Sequence, residues 1–349
     1  MSKPLFALSI LFLFTFSHPT LINAAAGPTD KQGAGPNTVI ATVGGSNLTL
    51  SDLQEKSGGS LFQANNTYYQ AERKALDQLI DDYLLQRAAR RENLSLEQLI
   101  EKHVTSTLPK DPSEEALHVY YEGLDSTQPF EEVRGQILEH VREVRSAKAK
   151  ANYLQSLRGD ANVVVRLAPP RADVDLHDTP MRGSRNATVT IVEFADYECP
   201  YCQQVHPELK KLEAKYPDRL ILAFKDTPLP MHSKAQKAAE GAHCAGLQGK
   251  FWEYHDMLFD TKQLDPTELK QDARKLGLDG AVFDKCLDSG EEAGMVKAQL
   301  EQAQKLGLSG TPSFFINGRF LSGAVTYDAL REVVEQELTG EAAKQTASR

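Results

Sequence analysis

The feature that most constrains this chain is the Cys-Pro-Tyr-Cys sequence at 199–202, because of the segments on either side of it. The apolar run 189–194 before it is typical of a buried strand, and the amphipathic run 203–216 after it is typical of a helix. At such a junction the first sulfur lies at the helix N-terminus, where free N–H groups and the helix dipole favour a thiolate. The second sulfur lies one turn further on. The spacing therefore predicts a disulfide that can be formed and broken.

The length and charge of the chain limit its organisation and its partners. With 349 residues, the chain is longer than one ordinary domain and suits two. Its formal net charge of -9 argues against nucleic acid or an anionic membrane surface as the main partner.

The first residues have the composition of a targeting segment. Lys3 precedes the apolar run Leu5 to Phe16, and three alanines follow at 24–26. This order is typical of a secretory signal peptide, so residues 1–26 are predicted to be removed and the mature protein to be periplasmic or otherwise exported. An uncleaved N-terminal anchor is the alternative, although the run is short for a bilayer span.

Two further cysteines, Cys244 and Cys286, lie 42 positions apart in segments with helical periodicity. In an oxidising compartment they are expected to form a second, structural disulfide. Two buried free thiols remain the alternative, because spacing alone does not fix connectivity. A four-cysteine zinc site is disfavoured, since such sites use two close pairs.

Hydrophobic patterning divides the remaining chain in two. The first part contains a short strand at 39–43, strong helical periodicity at 69–92 and 133–157, and a strand-like run at 163–167. The second part alternates strands and helices and ends with an Asn-Gly hairpin turn at 317–318. The predicted segments are a flexible N-terminus at 27–37, a helical domain at 38–168, a linker at 169–178, an α/β domain at 179–338 and a frayed tail at 339–349.

These motifs resemble a known family when they are taken together. A strand, a CxxC pair, a helix, a second strand, a helical insertion and a Pro-containing hairpin resemble the thioredoxin fold. The stretch 194–202 and the insertion segment 244–252 resemble the DsbA-type branch of thiol–disulfide oxidoreductases. Residues 38–168 are similar, more weakly, to the helical module of SurA-like folding chaperones. The resemblance implies an α/β thioredoxin domain with a helical insertion, preceded by a mainly helical domain.

The resemblance also implies roles for individual residues. Cys199 would be the exposed nucleophile of low pKa, and Cys202 the buried resolving thiol. Glu193 is a single carboxylate within an apolar strand, and such a group is costly to bury without a partner. The resemblance places it beside Lys225 beneath the CxxC pair, where the two would move the proton of Cys202. A wet strand edge with both charges in solvent is the alternative.

A proline is expected to form the substrate ledge. Pro312 is expected to follow a cis peptide bond, with Thr311 facing Cys199 and pairing with an extended substrate. A trans bond in an ordinary loop is the alternative. The dipeptide Pro200-Tyr201 would tune the cysteine pair, and because a tyrosine carries no positive charge it leaves the direction of electron flow open.

The sequence thus predicts an exported protein disulfide oxidoreductase. Its expected partners are unfolded or reduced polypeptides and a redox partner protein, which could be in the membrane, and a homodimer is an open alternative. A DsbG-like isomerase or reductase, a chaperone whose thioredoxin-like domain mainly binds, and a peroxide-handling enzyme are the competing functions. No cofactor or metal is predicted. His232, His243 and His255 lack metal-ligand spacing with each other and are interpreted as structural. His206 is interpreted as a solvated helix residue, with contact to the CxxC pair as the alternative.

Overall fold

The computed structural model describes residues 35–124 and 126–347, so the predicted signal peptide lies outside the described residues. A first unit, described from residue 35 to residue 55, contains an antiparallel hairpin of β1 (Val39–Val43) and β2 (Ser46–Thr49). The Gly44-Gly45 turn joins them with both φ angles positive, a conformation that glycine adopts without strain. The long helix α1 (Leu50–Glu92) begins in this unit.

The second unit begins at Lys56 and opens with a helical region. It comprises the rest of α1, then α2 (Leu96–His103), a short 3-10 turn at Thr105–Thr107, α3 (Glu114–Glu122) and α4 (Phe130–Ala161). Leu84, Leu99 and Leu157 form the centre of one apolar cluster there. The side chains of Ser95 and Gln98 form a capping box that fixes the start of α2.

Two elements of the helical region differ from the sequence prediction. The predicted helix start at 50–53 and the helical periodicity at 69–92 belong to one unbroken helix, α1, although Gly58 and Gly59 are poor helix formers. A Cβ at Gly59 would collide with the carbonyl oxygen of Lys305, so close packing requires glycine there. The predicted strand-like run 163–167 is not a strand, because it pairs with no strand among the described residues.

A five-stranded mixed sheet forms the centre of the C-terminal half. Its strands lie in the order β3 (Met181–Gly183), β5 (Leu220–Asp226), β4 (Val189–Ala195), β6 (Ser313–Ile316) and β7 (Arg319–Ser322). Strands β4 and β5 run parallel, and the other neighbouring pairs of this sheet are antiparallel. The buried, largely apolar sequences of β4 and β5 suit this inner position.

Helices cover both faces of this sheet. They are α5 (Pro200–Lys215), α6 (Ala235–Gly246), α7 (Phe251–Thr261), α8 (Pro266–Lys275), α9 (Gly280–Ser289), α10 (Ala293–Lys305) and α11 (Tyr327–Ala347). Helix α11 extends into the tail that the sequence predicts to be frayed. Among the described residues, no helix combines the length and apolar character needed to cross a bilayer.

The two faces of the sheet have separate cores. Ile191 and Leu222 pack with residues of α5 and α11 on one face, whereas Val192 and Phe194 pack with Ala303 of α10 on the other. Helix α1 also reaches the second face. The ring of its residue Phe62 lies 6.0 Å from that of Phe315 and 6.3 Å from that of Phe320.

Candidate redox site

The first cysteine of the pair lies at the start of helix α5. Cys199 is the N-cap residue, with extended backbone dihedrals, and its carbonyl oxygen accepts the first helical hydrogen bond from the N–H of Gln203 at 3.1 Å. Pro200 occupies the first helical position, where its fixed φ suits the helix and its missing N–H has no cost. The sulfur is therefore held at the positive end of the helix dipole.

The pKa of the Cys199 thiol is low, as the sequence predicts. The thiol is buried, however, whereas the sequence predicts that it is exposed. Only 3% of the residue surface is accessible. The Thr311 carbonyl oxygen, in the loop before β6, lies 3.5 Å from Sγ and can accept a hydrogen bond from the protonated thiol. A hydrogen bond from the Cys202 thiol, supported by helix-start N–H groups of Tyr201 and Cys202, lowers the pKa of Cys199 to about 5.

The second thiol has the opposite character. Cys202 is fully buried one turn into α5. Burial, its hydrogen bond to Cys199 and the nearby charge of Glu193 raise the pKa of Cys202 well above its ordinary value. At neutral pH one thiol of the pair is a thiolate and the other remains protonated. The pKa values of the two thiols are therefore shifted in opposite directions.

The residues predicted to form the substrate ledge lie beside the thiols. The Thr311–Pro312 peptide bond is cis, and the Thr311 carbonyl faces Cys199. Tyr201, between the two cysteines, has 59% of its surface exposed. The structure therefore brings the CxxC pair, Thr311 and Pro312 into one place.

Glu193 lies beneath the cysteines as a buried acid without a partner. It is 1% exposed, and neither carboxylate oxygen has a hydrogen-bond partner among the residues that the structure describes. Burial raises the pKa of Glu193 to about 8, because the opposing charge of Arg182 compensates only in part. The carboxyl group therefore gains and loses its proton near neutral pH.

The expected pair of Glu193 with Lys225 does not form. In the parallel β4–β5 ladder Lys225 lies opposite Phe194, whereas Glu193 lies opposite Phe224. Neighbouring residues of a strand point to opposite faces, so the lysine and the acid are on different sides of the sheet. Lys225 instead lines a cavity with Asp175 and other residues toward α10, where burial lowers its pKa.

The remaining cysteines form a crosslink within the helical insertion. A disulfide joins Cys244 of α6 to Cys286 of α9, with Cα atoms 5.9 Å apart. Cys199 and Cys202 are free thiols in this structure.

Two functional candidates are missing from the sequence prediction. The buried carboxylate of Asp196 accepts hydrogen bonds from the N–H groups of Glu198 and Leu229, both at 2.8 Å, and lies 2.7 Å from Nδ1 of His232. Burial opposes the charged imidazole, but the bond to Asp196 and the charges of Asp196 and Cys199 raise the pKa of His232. No local pattern indicates this contact, because the two residues are 36 positions apart.

Comparison with known sequences identifies the domain. A sequence model described as thioredoxin matches residues 175–336. This segment is therefore a thioredoxin-family domain, and the predicted thioredoxin fold with a helical N-terminal region is confirmed. The predicted domain boundaries stay predictions.

Relatives in other organisms match about half of the chain. Na(+)/H(+) antiporter NhaA 3 of Salinispora tropica is 37% identical over 188 residues, covering 53% of this chain and 28% of that protein. Disulfide bond formation protein D of Bacillus subtilis is 26% identical over 181 residues, covering 46% of this chain and 78% of that protein. The chain thus spans less than a third of the length of the antiporter relative.

Solved structures show the same partial likeness. A thioredoxin-like oxidoreductase from Silicibacter pomeroyi is 30% identical, with a TM-score of 0.43, over 46% of this chain and 92% of that one. The oxidised BdbD protein of Bacillus subtilis is 23% identical, with a TM-score of 0.45, over 48% of this chain and 97% of that one.

Proposed function

We propose that this protein is a thiol–disulfide oxidoreductase that exchanges disulfides with polypeptides. The opposite pKa shifts of Cys199 and Cys202 carry the proposal. In the oxidising direction a substrate thiolate attacks the Cys199 sulfur, the Cys199–Cys202 bond breaks and a mixed disulfide forms. A second substrate thiolate then displaces Cys199, so the substrate is oxidised by two electrons and the cysteine pair is reduced.

The low pKa of Cys199 supports the oxidising direction over reduction. A stabilised thiolate favours the dithiol form of the pair, and a pair that is stable when reduced donates its disulfide readily. Measuring the reduction potential against glutathione tests the direction. A potential near about -120 mV fits an oxidase, whereas one near about -270 mV fits a reductase and would contradict this assignment.

Glu193 is proposed to move the proton of Cys202. Its unpaired carboxyl lies beneath that buried thiol and has a pKa of about 8, so at neutral pH it can give a proton to Cys202 as the Cys199–Cys202 bond breaks. It can take the proton back when Cys202 attacks in the reverse step. Glu193→Gln keeps the shape of the side chain but removes the base. Resolution of the mixed disulfide by Cys202 should then slow, measured in a stopped-flow reaction with a disulfide-containing peptide, and an unchanged rate would exclude this role.

Cysteine variants test which sulfur attacks the substrate and which resolves the mixed disulfide. With a disulfide-containing polypeptide, Cys202→Ser should accumulate a mixed disulfide through Cys199, detected by mass spectrometry without reductant. Cys199→Ser should form none and lose exchange activity, because its remaining thiol is buried and protonated. Cys199→Ser protein with full activity would support the chaperone alternative instead.

Exposed apolar side chains of the helical region support a polypeptide substrate. Leu79 and Tyr83 lie one turn apart on α1 and are 67% and 64% exposed. Changing both to serine should lower kcat/KM for a reduced, unfolded protein and leave exchange with glutathione unchanged. An equal effect on both substrates would indicate a structural defect rather than substrate binding.

Export is part of the same proposal. The Cys244–Cys286 disulfide is typical of an oxidising compartment, and the sequence of residues 1–26 fits a signal peptide. A separate redox protein would reoxidise the cysteine pair there. The homodimer stays a prediction. Fractionation of cells that express the full chain tests the location, and a protein retained in the cytoplasm would refute export.

A further inference from the structure

Two buried histidines converge on one carboxylate in the interior of the thioredoxin-family domain. His206 lies on α5, and His255 and Asp256 lie on α7. Nε2 of His206 is 3.5 Å from Oδ1 of Asp256, and Nε2 of His255 is 3.9 Å from the same oxygen. The ligand atoms of the three residues all lie within 4.8 Å of one another.

In the part of the chain that the structure describes, the Nε2 atoms of the two histidines are buried without a hydrogen-bond partner. The side chain of His206 is 4% exposed and that of His255 is fully buried. Their Nε2 atoms lack a hydrogen-bond partner among the residues that the structure describes. Leaving one such polar atom unpaired in a protein interior is costly, so two at one point indicate a missing ligand. The position of His206 also corrects the expectation of a solvated residue.

The surroundings orient these groups as ligands. The second ring nitrogen of His255, Nδ1, lies 3.0 Å from the Tyr197 hydroxyl, which can fix the ring and the tautomer. Burial favours neutral imidazoles, the form that binds metal ions. Asp256 is 27% exposed, so the cluster has a route to solvent on that side.

Nearby positive charges restrict the type of ion. Nη1 of Arg182 donates to both oxygens of Asp256, at 2.9 and 3.1 Å, and Nζ of Lys210 lies 3.6 Å from Oδ2. The carboxylate of Glu213 partly neutralises the charge of Arg182, because it accepts hydrogen bonds from Nε and Nη2 at 2.8 Å. A carboxylate oxygen can accept one such bond and still bind a metal. Ions held only by charge, such as Mg²⁺ or Ca²⁺, are therefore disfavoured against ions that bind imidazole strongly.

We propose that His206, His255 and Asp256 bind one divalent transition-metal ion of the Zn²⁺ type, with water as the fourth ligand. Tetrahedral zinc with bonds of about 2.0–2.1 Å holds its ligand atoms about 3.3 Å apart, so side-chain shifts of about 1 Å complete the site. The ion would join α5 to α7 next to Tyr197, two residues before Cys199. No sequence motif indicates this site, because His206 and His255 are 49 positions apart.

The test must exclude the thiols, which are competing zinc ligands. The full chain without an affinity tag is treated with chelator and oxidised, so that all four cysteines are in disulfides. Zn²⁺ is then titrated by isothermal calorimetry. We expect one equivalent to bind, and Co²⁺ to give the visible absorption of a tetrahedral site with nitrogen and oxygen ligands.

Variants locate the site. His206→Gln, His255→Gln and Asp256→Asn should each weaken Zn²⁺ binding by at least about tenfold, since changes outside the first ligand shell already cost that much. The control His243→Gln removes another buried histidine, which is bonded to Asp226, and should leave binding unchanged. No binding to the oxidised protein, or binding that survives all three ligand variants, overturns the proposal. If a variant does not fold, the Co²⁺ spectrum of the natural chain shows whether a tetrahedral site with nitrogen and oxygen ligands is present.

Discussion

Replacing Glu193 with glutamine should stabilise the fold, and the gain should depend on pH. The carboxyl is buried without a hydrogen-bond partner among the described residues, and burial raises its pKa from 4.5 to about 8. Below pH 4.5 the acid is protonated in the folded and unfolded chains, so glutamate and glutamine should be nearly equivalent. As the pH rises to 8, the unfolded chain ionises freely and the folded chain resists ionisation. The natural protein therefore loses stability through this window.

The size of the effect follows from the width of that window. Each pH unit between the two pKa values costs the folded state about 1.4 kcal/mol. Glu193→Gln should therefore raise the free energy of unfolding by about 3 kcal/mol at pH 7 and by about 5 kcal/mol above pH 8. These values are upper limits, because water entry or local relaxation in the folded state would reduce the cost of the charge.

Urea unfolding at a series of pH values measures this difference. Both proteins should carry Cys199→Ser and Cys202→Ser, so that no titrating active-site thiol contributes to the pH dependence. Glu253→Gln, at an exposed position of α7, is the control and should follow the protein that keeps Glu193. Parallel stability curves with and without the Glu193→Gln substitution from pH 4 to pH 9 would refute the assignment of Glu193 as a buried, uncompensated acid.

Three further variants test other contacts of the thioredoxin-family domain. His232→Gln should raise the pKa of Cys199, measured from thiolate absorbance, because a positive charge is lost; an unchanged pKa would remove His232 from the site. Lys225→Met should leave exchange rates unchanged, since the lysine lies on the other face of the sheet, and a slower rate would restore its predicted role. Replacing Cys244 and Cys286 by alanine should lower stability by about 4 kcal/mol in urea unfolding, given their separation of 42 residues; equal stability would argue against a structural disulfide.

Local patterns predict the reactive part of this fold well. The strand before Cys199 and the helix after it follow from runs of 6 to 14 residues whose periodicities are unambiguous. The position of Cys199 at the helix start follows from those runs and from Pro200. The same reasoning wrongly predicts a strand at 163–167. The β-branched residues of this run favour an extended chain, but among the described residues no neighbouring strand pairs with them.

Local sequence patterns do not predict contacts between segments that are distant in the chain. The face on which Lys225 lies depends on the register of β5 against β4, and a shift of one residue would reverse it. The contact of His232 with Asp196 and the low exposure of Cys199 both depend on loops that meet only in the folded chain. Sequence reasoning therefore predicts which sulfur atoms react but does not predict the charged and polar groups around them.

Helix α1 takes part in two apolar cores, and this has a consequence for how the protein unfolds. Phe62 packs against the sheet, and Leu84 packs among the helices, 22 residues or about 33 Å further along the same helix. If α1 unfolds within one core, the neighbouring turns of the same continuous helix also expose apolar surface. The thioredoxin-family domain and the helical region from residue 56 onward are thereby linked into one cooperative unit, so that local unfolding in one is transmitted to the other.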